Sequence, residues 1–481
     1  MNRIILHIDF NSYFATVEQQ ANPRLRGKPI GVTGGDRMER TVIGAASIEA
    51  KKFGVRTGMH LYEALRLCPQ IILVQGDSDK YLACTTRFLN IMKDYSPVVE
   101  AFSIDEVFME LPSTVIPAKA GIYTNNLWIP DQLPSGGRVV RDDNLLSVID
   151  IALEIKSRIR LEVGEWMSCS IGISYNKLMA KLAGSLQKPD GLVVIENEVQ
   201  AMKVLDAIPL DEICGIGPRI KKRLNKMGIF SFKSLRRAPL NILLLEFKSY
   251  GQFLYNASRG INYDPLIPFY DKGEVKSIGH RHTIDHDTDD QVEIKQLLLK
   301  LTELVARRLR SKNLVGRTVS CWFRYGVSSS VIPAKAGIYT NSSWIPLARD
   351  TSDQVRDDKG NFTGGGMQMT IPYTCDGLEI FQTGWKIFHQ IWNKEKIRMI
   401  GVSISNLKPQ APQNLTFLED PLRQEKIIQA LDKINDKFGE FVLQRGILLA
   451  KQGRSPSLDT EKIRRKPNSF LADRRFKLER Q

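Results

Sequence analysis

The chain is predicted to fold as an α+β protein built on a mainly antiparallel sheet, and three observations carry that prediction. Strand-like apolar runs alternate with amphipathic helical segments through about residue 195. A mostly helical, strongly basic stretch follows from about 196 to 265. A second strand-and-helix unit begins near Ser277, after a linker marked by prolines.

Taken in order, "RIILHIDF" reads as the first strand and "SYFATVEQQ" as the start of a helix. After "GKPIGV" comes the strand "TVIGAAS", and "IEAKKFGVRTGMHLYEALRLCP" carries helical spacing throughout. The strand "IILVQ" and the helix "KYLACTTRFLNIMKDY" lead into "VVEAFSIDEVFMEL", residues 98–111. A helix around 145–162 precedes the strand "SCSIGIS". The helix "NKLMAKLAGSLQKPDG" then stops at Pro189 and Gly191. Beyond the linker "YDPLIPFYDKGEVK" the second unit has a strand and the long amphipathic helix "VEIKQLLLKLTELVARRLRSK". The strand "RTVSCWFRY", another helix and the strand "IRMIGVSISNL" complete it. Residues 411–481 hold one or two helices and a tail with eight basic and two acidic residues from Lys462 to Gln481.

Composition narrows the function classes. The 481 residues are 42% hydrophobic and 25% charged, ordinary for a globular protein. The 68 Lys and Arg outnumber the 53 Asp and Glu, for a net charge of +15, which points to a polyanionic partner, nucleic acid ahead of a membrane surface. Six scattered cysteines without a C-x-x-C pair argue against a zinc ribbon and a disulfide framework, so a reducing cytoplasmic setting is expected. No apolar run reaches transmembrane length and the amino terminus lacks a signal-peptide pattern, so a soluble protein with no membrane partner is expected.

One feature stands outside this pattern. "VIPAKAGIYTN" occurs at 115–125 and again at 331–341, each copy followed by "WIP" and closed by "VRDD". Two copies do not make a solenoid. The segments resemble an in-frame dispersed repeat, the alternative being a duplicated functional loop. Both are expected to be exposed, poorly ordered and without a catalytic role.

The acids carry the chemistry. Asp105 and Glu106 are adjacent in an apolar run, and neighbours in a regular strand point to opposite faces. For both to serve one site, the pair must lie at a hairpin turn or bulge. Asp9, at the end of the first strand, would add a third carboxylate. Three such acids can hold two magnesium ions for in-line phosphoryl transfer, and without cations they would repel one another.

"HIDFNSYFATVEQ", "FSIDEVFMEL", "SIGISYNKLMAKLAGSLQKPDG" and "LDEICGIGPRIKKRLNKMGI", in this order, resemble the Y-family translesion DNA polymerases of the DNA polymerase IV type. The resemblance runs from about residue 3 to 450, broken by the two repeat segments. It implies a right-hand polymerase with palm, fingers, helical thumb and an α/β little finger. The palm would take 1–10 and 77–195, with the inserted segment 115–144, and the fingers 11–76. The thumb, with its helix–hairpin–helix, would take 196–265. A linker at 266–277 would lead to the little finger at 278–410, with the inserted segment 331–361, and then to the tail at 411–481.

Residue by residue, the resemblance makes Asp9, Asp105 and Glu106 the catalytic carboxylates, with the Phe10 main-chain carbonyl as a further metal ligand. Phe14 matches the steric gate under the incoming sugar, with Tyr13 beside it; core packing is the plainer reading of both rings. Lys188 matches a lysine that reaches the triphosphate, and Lys51 falls where many members have an arginine. Ala45 and Ile48 stand where a threonine and a tyrosine hydroxyl usually contact phosphates, which lowers the expected nucleotide affinity. Gly215, Gly217 and Arg219 belong to the hairpin and basic helix expected to approach a DNA phosphate.

Two further stretches invite a reading. His280, His282 and His286 lie close together but lack regular ligand spacing, so no metal is expected there. In "QNLTFLED", Leu415, Phe417 and Leu418 supply apolar anchors where the family often carries a sliding-clamp peptide, though in altered order. The alternative is a stretch that ties the tail to its domain.

The expectation is therefore a monomeric DNA-templated polymerase of low fidelity and without proofreading. It would act on primed DNA and deoxynucleoside triphosphates with two Mg2+ ions and a sliding-clamp partner. Two alternatives come from other classes. A non-catalytic DNA-binding scaffold would be expected to lose palm acids, and a palm-type nucleotidyl cyclase would need neither the helix–hairpin–helix nor the basic tail.

Overall fold

A computed structural model describes residues 3–34, 41–111, 127–128, 143–271, 273–326, 337–340, 343–345, 364–410, 421–438, 442–443 and 445–448. The chain divides into two compact units between Lys272 and Gly273.

The first unit begins with β1 (Ile4–Phe10), α1 (Tyr13–Ala21), β2 (Ile30–Thr33), β3 (Ile43–Ala46), α2 (Ile48–Lys52), α3 (Leu61–Leu67), β4 (Ile72–Gln75) and α4 (Ser78–Lys93). It continues through β5 (Val99–Ala101), β6 (Glu106–Leu111), β7 (Leu127–Trp128), α5 (Asp143–Arg158), β8 (Cys169–Ser174), α6 (Lys177–Leu186) and β9 (Leu192–Ile195). Five helices close it: α7 (Glu198–Ala207), α8 (Pro218–Lys226), α9 (Phe232–Arg237), α10 (Leu240–Phe247) and α11 (Tyr250–Ala257).

Its main sheet runs β5-β6-β1-β8-β9-β7. The first four strands pair antiparallel, while β9 and β7 are added parallel. Alternation along β1 sorts its side chains. Leu6, Ile8 and Phe10 join a core with Phe88 and Met92 of α4 and Ile149 and Ile155 of α5. On the opposite face Ile5 packs with Phe108 and Ala180 of α6, and His7 and Asp9 share that face by their spacing.

Glycine lets α6 come this close. A Cβ on Gly172 of β8 would stand 2.1 Å from the Ala180 carbonyl oxygen and 2.2 Å from the Gly184 nitrogen. Gly184 sits inside α6, where glycine costs about 1 kcal/mol relative to alanine. A Cβ there would meet His7 Nδ1 at 3.0 Å, so both glycines serve the contact between helix and sheet.

A small sheet, β3-β2-β4, packs with α2 and α3 on a core of its own that includes Ile43, Val55, Leu61 and Ile71. Here the single helix expected over 48–69 is two. Gly54 (φ +87°) and Gly58 (φ +85°) take the left-handed conformation between them and stop the first. Strand β9 was not anticipated, because four apolar residues carry no readable period.

The second unit contains β10 (Ser277–Thr288), α12 (Gln291–Ser311), β11 (Leu314–Tyr325), β12 (Gly337–Thr340), β13 (Ser343–Ile345), β14 (Gly364–Thr374), α13 (Gly377–Ile391), β15 (Ile397–Ser405), β16 (Lys408–Pro409) and α14 (Pro421–Phe438). Its sheet order is β10-β15-β11-β14-β12-β13, with β16 paired to β11. The long helix expected from the sequence, α12, packs with α13 on this sheet through Leu298, Val305, Ile380 and Phe388. Strand β14 was missed because "GGG" at 364–366 reads as a loop. Crowding explains those glycines, since a Cβ on Gly364 would lie 2.0 Å from the Phe323 carbonyl oxygen. Helix α14 is tied to α12 by a two-bond pairing of Arg310 with Asp432, at 2.6 and 2.8 Å.

Most of the repeat segments, 115–144 and 331–361, lies outside the described residues. Their few described residues include short strands. β7 pairs with β9, and the β12–β13 hairpin pairs with β14. Trp128 and Trp344, at the same offset in the two copies, both fall in these strands. A sheet edge offers unpaired backbone groups to any extended neighbour, which accounts for both pairings.

Replacing Gly172 by alanine is expected to destabilise the first unit by about 3 kcal/mol through overpacking against α6. Urea denaturation of the variant beside the parent protein measures it.

Candidate active site

Strand register brings two acids together. Asp9 lies directly opposite Glu106 in the β1–β6 ladder, so both carboxylates project from one face. Asp105 precedes β6 in the turn of the β5–β6 hairpin, where strand alternation no longer applies. Its carbonyl accepts a hydrogen bond from the Phe10 N–H at 3.0 Å, and its carboxylate accepts one from the Ser103 hydroxyl. The adjacent acids are thus a turn residue and a strand residue, with the Asp105 carboxylate outside the close group that Glu106 forms with Asp9 and His7.

Each acid meets a different environment. The Lys188 ammonium lies 2.9 Å from Asp9. Glu106 Oε2 faces His7 Nε2 at 3.0 Å and also accepts from the Lys181 ammonium. Burial acts to raise the Glu106 carboxyl, but the bonds from His7 and Lys181 outweigh it and hold the pKa at about 2. Asp105 is pushed above its ordinary value, first by burial and further by the charges of Asp9 and Glu106, with the Ser103 bond opposing. Burial also lowers the His7 imidazole, against the pull of Glu106.

A cavity of about 730 Å³ opens beside these acids, lined by Asp9, Asp105, Phe14, Lys51, Lys52 and Lys188 among others. Partial desolvation, then the like charge of Lys188, holds Lys51 below the ordinary lysine value. Three lysines on one cavity favour an anion there. Ala45 and Ile48 also line it and offer no side-chain donor. The Phe14 ring stacks on Tyr81 with centroids 4.4 Å apart. Tyr81 is itself held by Glu18, whose carboxylate accepts from its hydroxyl at 2.8 Å. The Tyr13 hydroxyl is spent inside the core on the Tyr81 carbonyl at 2.7 Å, so only the rest of Tyr13 faces the cavity.

Elsewhere in this unit, Gly215 adopts φ +102°, and a Cβ there would strike Phe253 and the Tyr250 hydroxyl at 2.8 Å. Gly217 caps α8 and has open space around it. Arg219 is exposed on the first turn of α8. Leu415, Phe417 and Leu418 lie outside the described residues. Among the described residues His280, His282 and His286 form no metal-binding group.

Four participants escaped the sequence reading: His7, Lys181, Ser103 and Ser12. His7 was signalled by its two-residue spacing from Asp9 on one strand. Ser12 takes a left-handed conformation at the start of α1, and its buried hydroxyl has no hydrogen-bond partner among the described residues. Lys181 and Ser103 carry no signal without the fold.

One ligand atom each from His7, Asp9 and Glu106 lies within 4.8 Å of the others. His7 Nε2 already faces the Glu106 carboxylate, so the imidazole is better placed as its partner than as a ligand. The carboxylates at 9, 105 and 106 form a hard oxygen set suited to magnesium or manganese. The raised Asp105 agrees, since its charge is under-compensated without a cation.

That imbalance has a measurable cost. Because the folded-state pKa of Asp105 is raised, its stabilising contribution is present at low pH and is lost as pH rises through that value. Asp105→Asn is expected to melt higher than the parent protein in EDTA at pH 7. The gain should vanish below about pH 4, near the unfolded-state pKa. Paired thermal melts at the two pH values check it.

Comparison with known proteins fits this geometry. Residues 8–185 match the family model described as impB/mucB/samB family, and residues 275–417 match the C-terminal domain of that family. The DNA polymerase IV of Pelotomaculum thermopropionicum is 34% identical over 450 residues, covering 93% of this chain and 96% of that protein. The DNA polymerase IV of Moorella thermoacetica is 32% identical over 452 residues, covering 93% and 97%. DNA polymerase IV 1 of Bacillus subtilis is 28% identical over 458 residues, covering 94% of each. With both halves matched in order, the chain belongs to the Y family of translesion, DNA-directed DNA polymerases, in the DNA polymerase IV group.

Proposed function

We propose that this polymerase extends a primer 3′-OH by in-line displacement of pyrophosphate at the site formed by Asp9, Asp105 and Glu106, with two magnesium ions. The observation that carries the reading is the cross-strand pairing of Asp9 with Glu106, completed by Asp105 from the turn and bordered by a lysine-bearing cavity. Magnesium held by these carboxylates and the Phe10 carbonyl would neutralise charge on the phosphoryl group and favour the attacking alkoxide.

The chain's own residues divide the remaining work. Lys188 and Lys51 attract the triphosphate into the cavity. The Ser12 hydroxyl, without a partner among the described residues, offers it a further donor, as the first turn of a helix does in general. Phe14, braced on Tyr81, is the steric gate against a ribose 2′-OH. Ala45 and Ile48 remove two donors, so nucleotide affinity is weaker than in members with hydroxyls there.

In this reading the six-stranded sheet is the palm, the small sheet the fingers, α7–α11 the thumb and the second unit the little finger. Gly215, Gly217 and Arg219 hold a DNA phosphate without reading sequence. Low fidelity follows from the family's open site, and no proofreading activity accompanies it. Leu415, Phe417 and Leu418 supply the anchors for a sliding clamp.

Wild type should extend a primed template with magnesium and deoxynucleotides. Asp105→Ala/Glu106→Ala should lower that rate by about 10³-fold or more. A folded, DNA-binding wild type that leaves the primer unextended would defeat the proposal and favour the scaffold.

A further inference from the structure

We propose that Lys181, together with His7, is a positioning residue for Glu106, gripping one oxygen of its carboxylate and leaving the other for the metal. This rests on the reading of Glu106 as a metal ligand. Both donors meet the same atom, Oε2, and Oε1 accepts no hydrogen bond from the described residues. A carboxylate held by one oxygen keeps a fixed orientation while its second oxygen stays available.

Lys181 is set apart from the lysines of the nucleotide cavity. Lys51, Lys52 and Lys188 line that cavity and Lys181 does not. Its ammonium sits 4.7 Å from the centre of the Phe102 ring, at the turn of the acid-bearing hairpin, so two contacts fix it. One turn earlier on α6, Lys177 grips Glu100 of β5 at 2.7 and 2.8 Å. Successive turns of one helix thus hold both arms of the hairpin, and the Gly172–Gly184 approach fixes the distance from helix to sheet.

His7 completes the grip. It is 1% exposed, and its Nδ1 has no hydrogen-bond partner among the described residues. A carboxylate facing Nε2 favours the tautomer with its proton on that nitrogen, so the ring donates to Glu106. Neither Lys181 nor His7 is expected to touch substrate; both act through Glu106.

The test compares full-length wild type with Lys181→Met and Lys181→Arg. On primed DNA, Lys181→Met should lower kcat by about ten-fold or more, with KM for the deoxynucleotide unchanged within about two-fold. Lys181→Arg should recover a substantial part of kcat. Without DNA or nucleotide, added Mn2+ should raise the melting temperature of Lys181→Met more than that of wild type, because the ion replaces the missing counter-charge. An unchanged kcat, a loss confined to KM, or equal Mn2+ shifts would each overturn the proposal. If wild type itself extends no primer, the polymerase chemistry fails separately, and the Mn2+ shifts alone decide the role of Lys181.

Discussion

Asp9, Asp105 and Glu106 gather at one end of the neighbouring strands β1 and β6, and the charges of Asp9 and Glu106 both act against ionisation of Asp105. Carboxylate oxygens of Asp9 and Glu106 lie within 4.8 Å of each other, where two unit charges at an effective dielectric of about 20 repel by about 3 kcal/mol or more. The protein answers with unequal compensation. Glu106 has two partners and Asp9 has Lys188, while among the described residues Asp105 is held by the Ser103 hydroxyl and a backbone N–H, without a cation. Asp105, the least compensated, is held above its ordinary value and stands to gain from a cation. Strain of this kind, kept at a functional site, is a common cost of activity.

Compensation depends on packing at some distance from the acids. Lys181 reaches Glu106 only because α6 lies against β8 and β1, and that approach requires glycine at 172 and 184. Lys188, just past the end of α6, is positioned by the same helix. A methyl group added at Gly172 would thus displace the helix and the counter-charges with it. Stability and electrostatics share one contact.

Much of this was legible in the sequence, and the exceptions have physical causes. The apolar runs of β1, β6 and β8 and the amphipathic α12 declared themselves by period. The adjacency of Asp105 and Glu106 foretold a turn, because regular alternation would have separated them. Strand β14 was hidden by glycines that crowding demands, and β9 by its brevity. His7 had a signal in its spacing from Asp9. Lys181 had none, since its contact with Glu106 spans 75 positions and exists only once helix and hairpin are packed. Phe14 shows the opposite case: family resemblance singled it out, while its stacking partner, Tyr81, emerged only from the fold.

The most direct test of the account is a crystal structure with primed DNA, a non-hydrolysable deoxynucleotide and Mn2+, read by anomalous scattering. Manganese is expected on Asp9, Asp105 and Glu106, with Lys188 moved from Asp9 to the triphosphate and Lys181 still on Glu106. An ordered nucleotide without manganese at these acids, or with Lys188 still paired to Asp9, would contradict it.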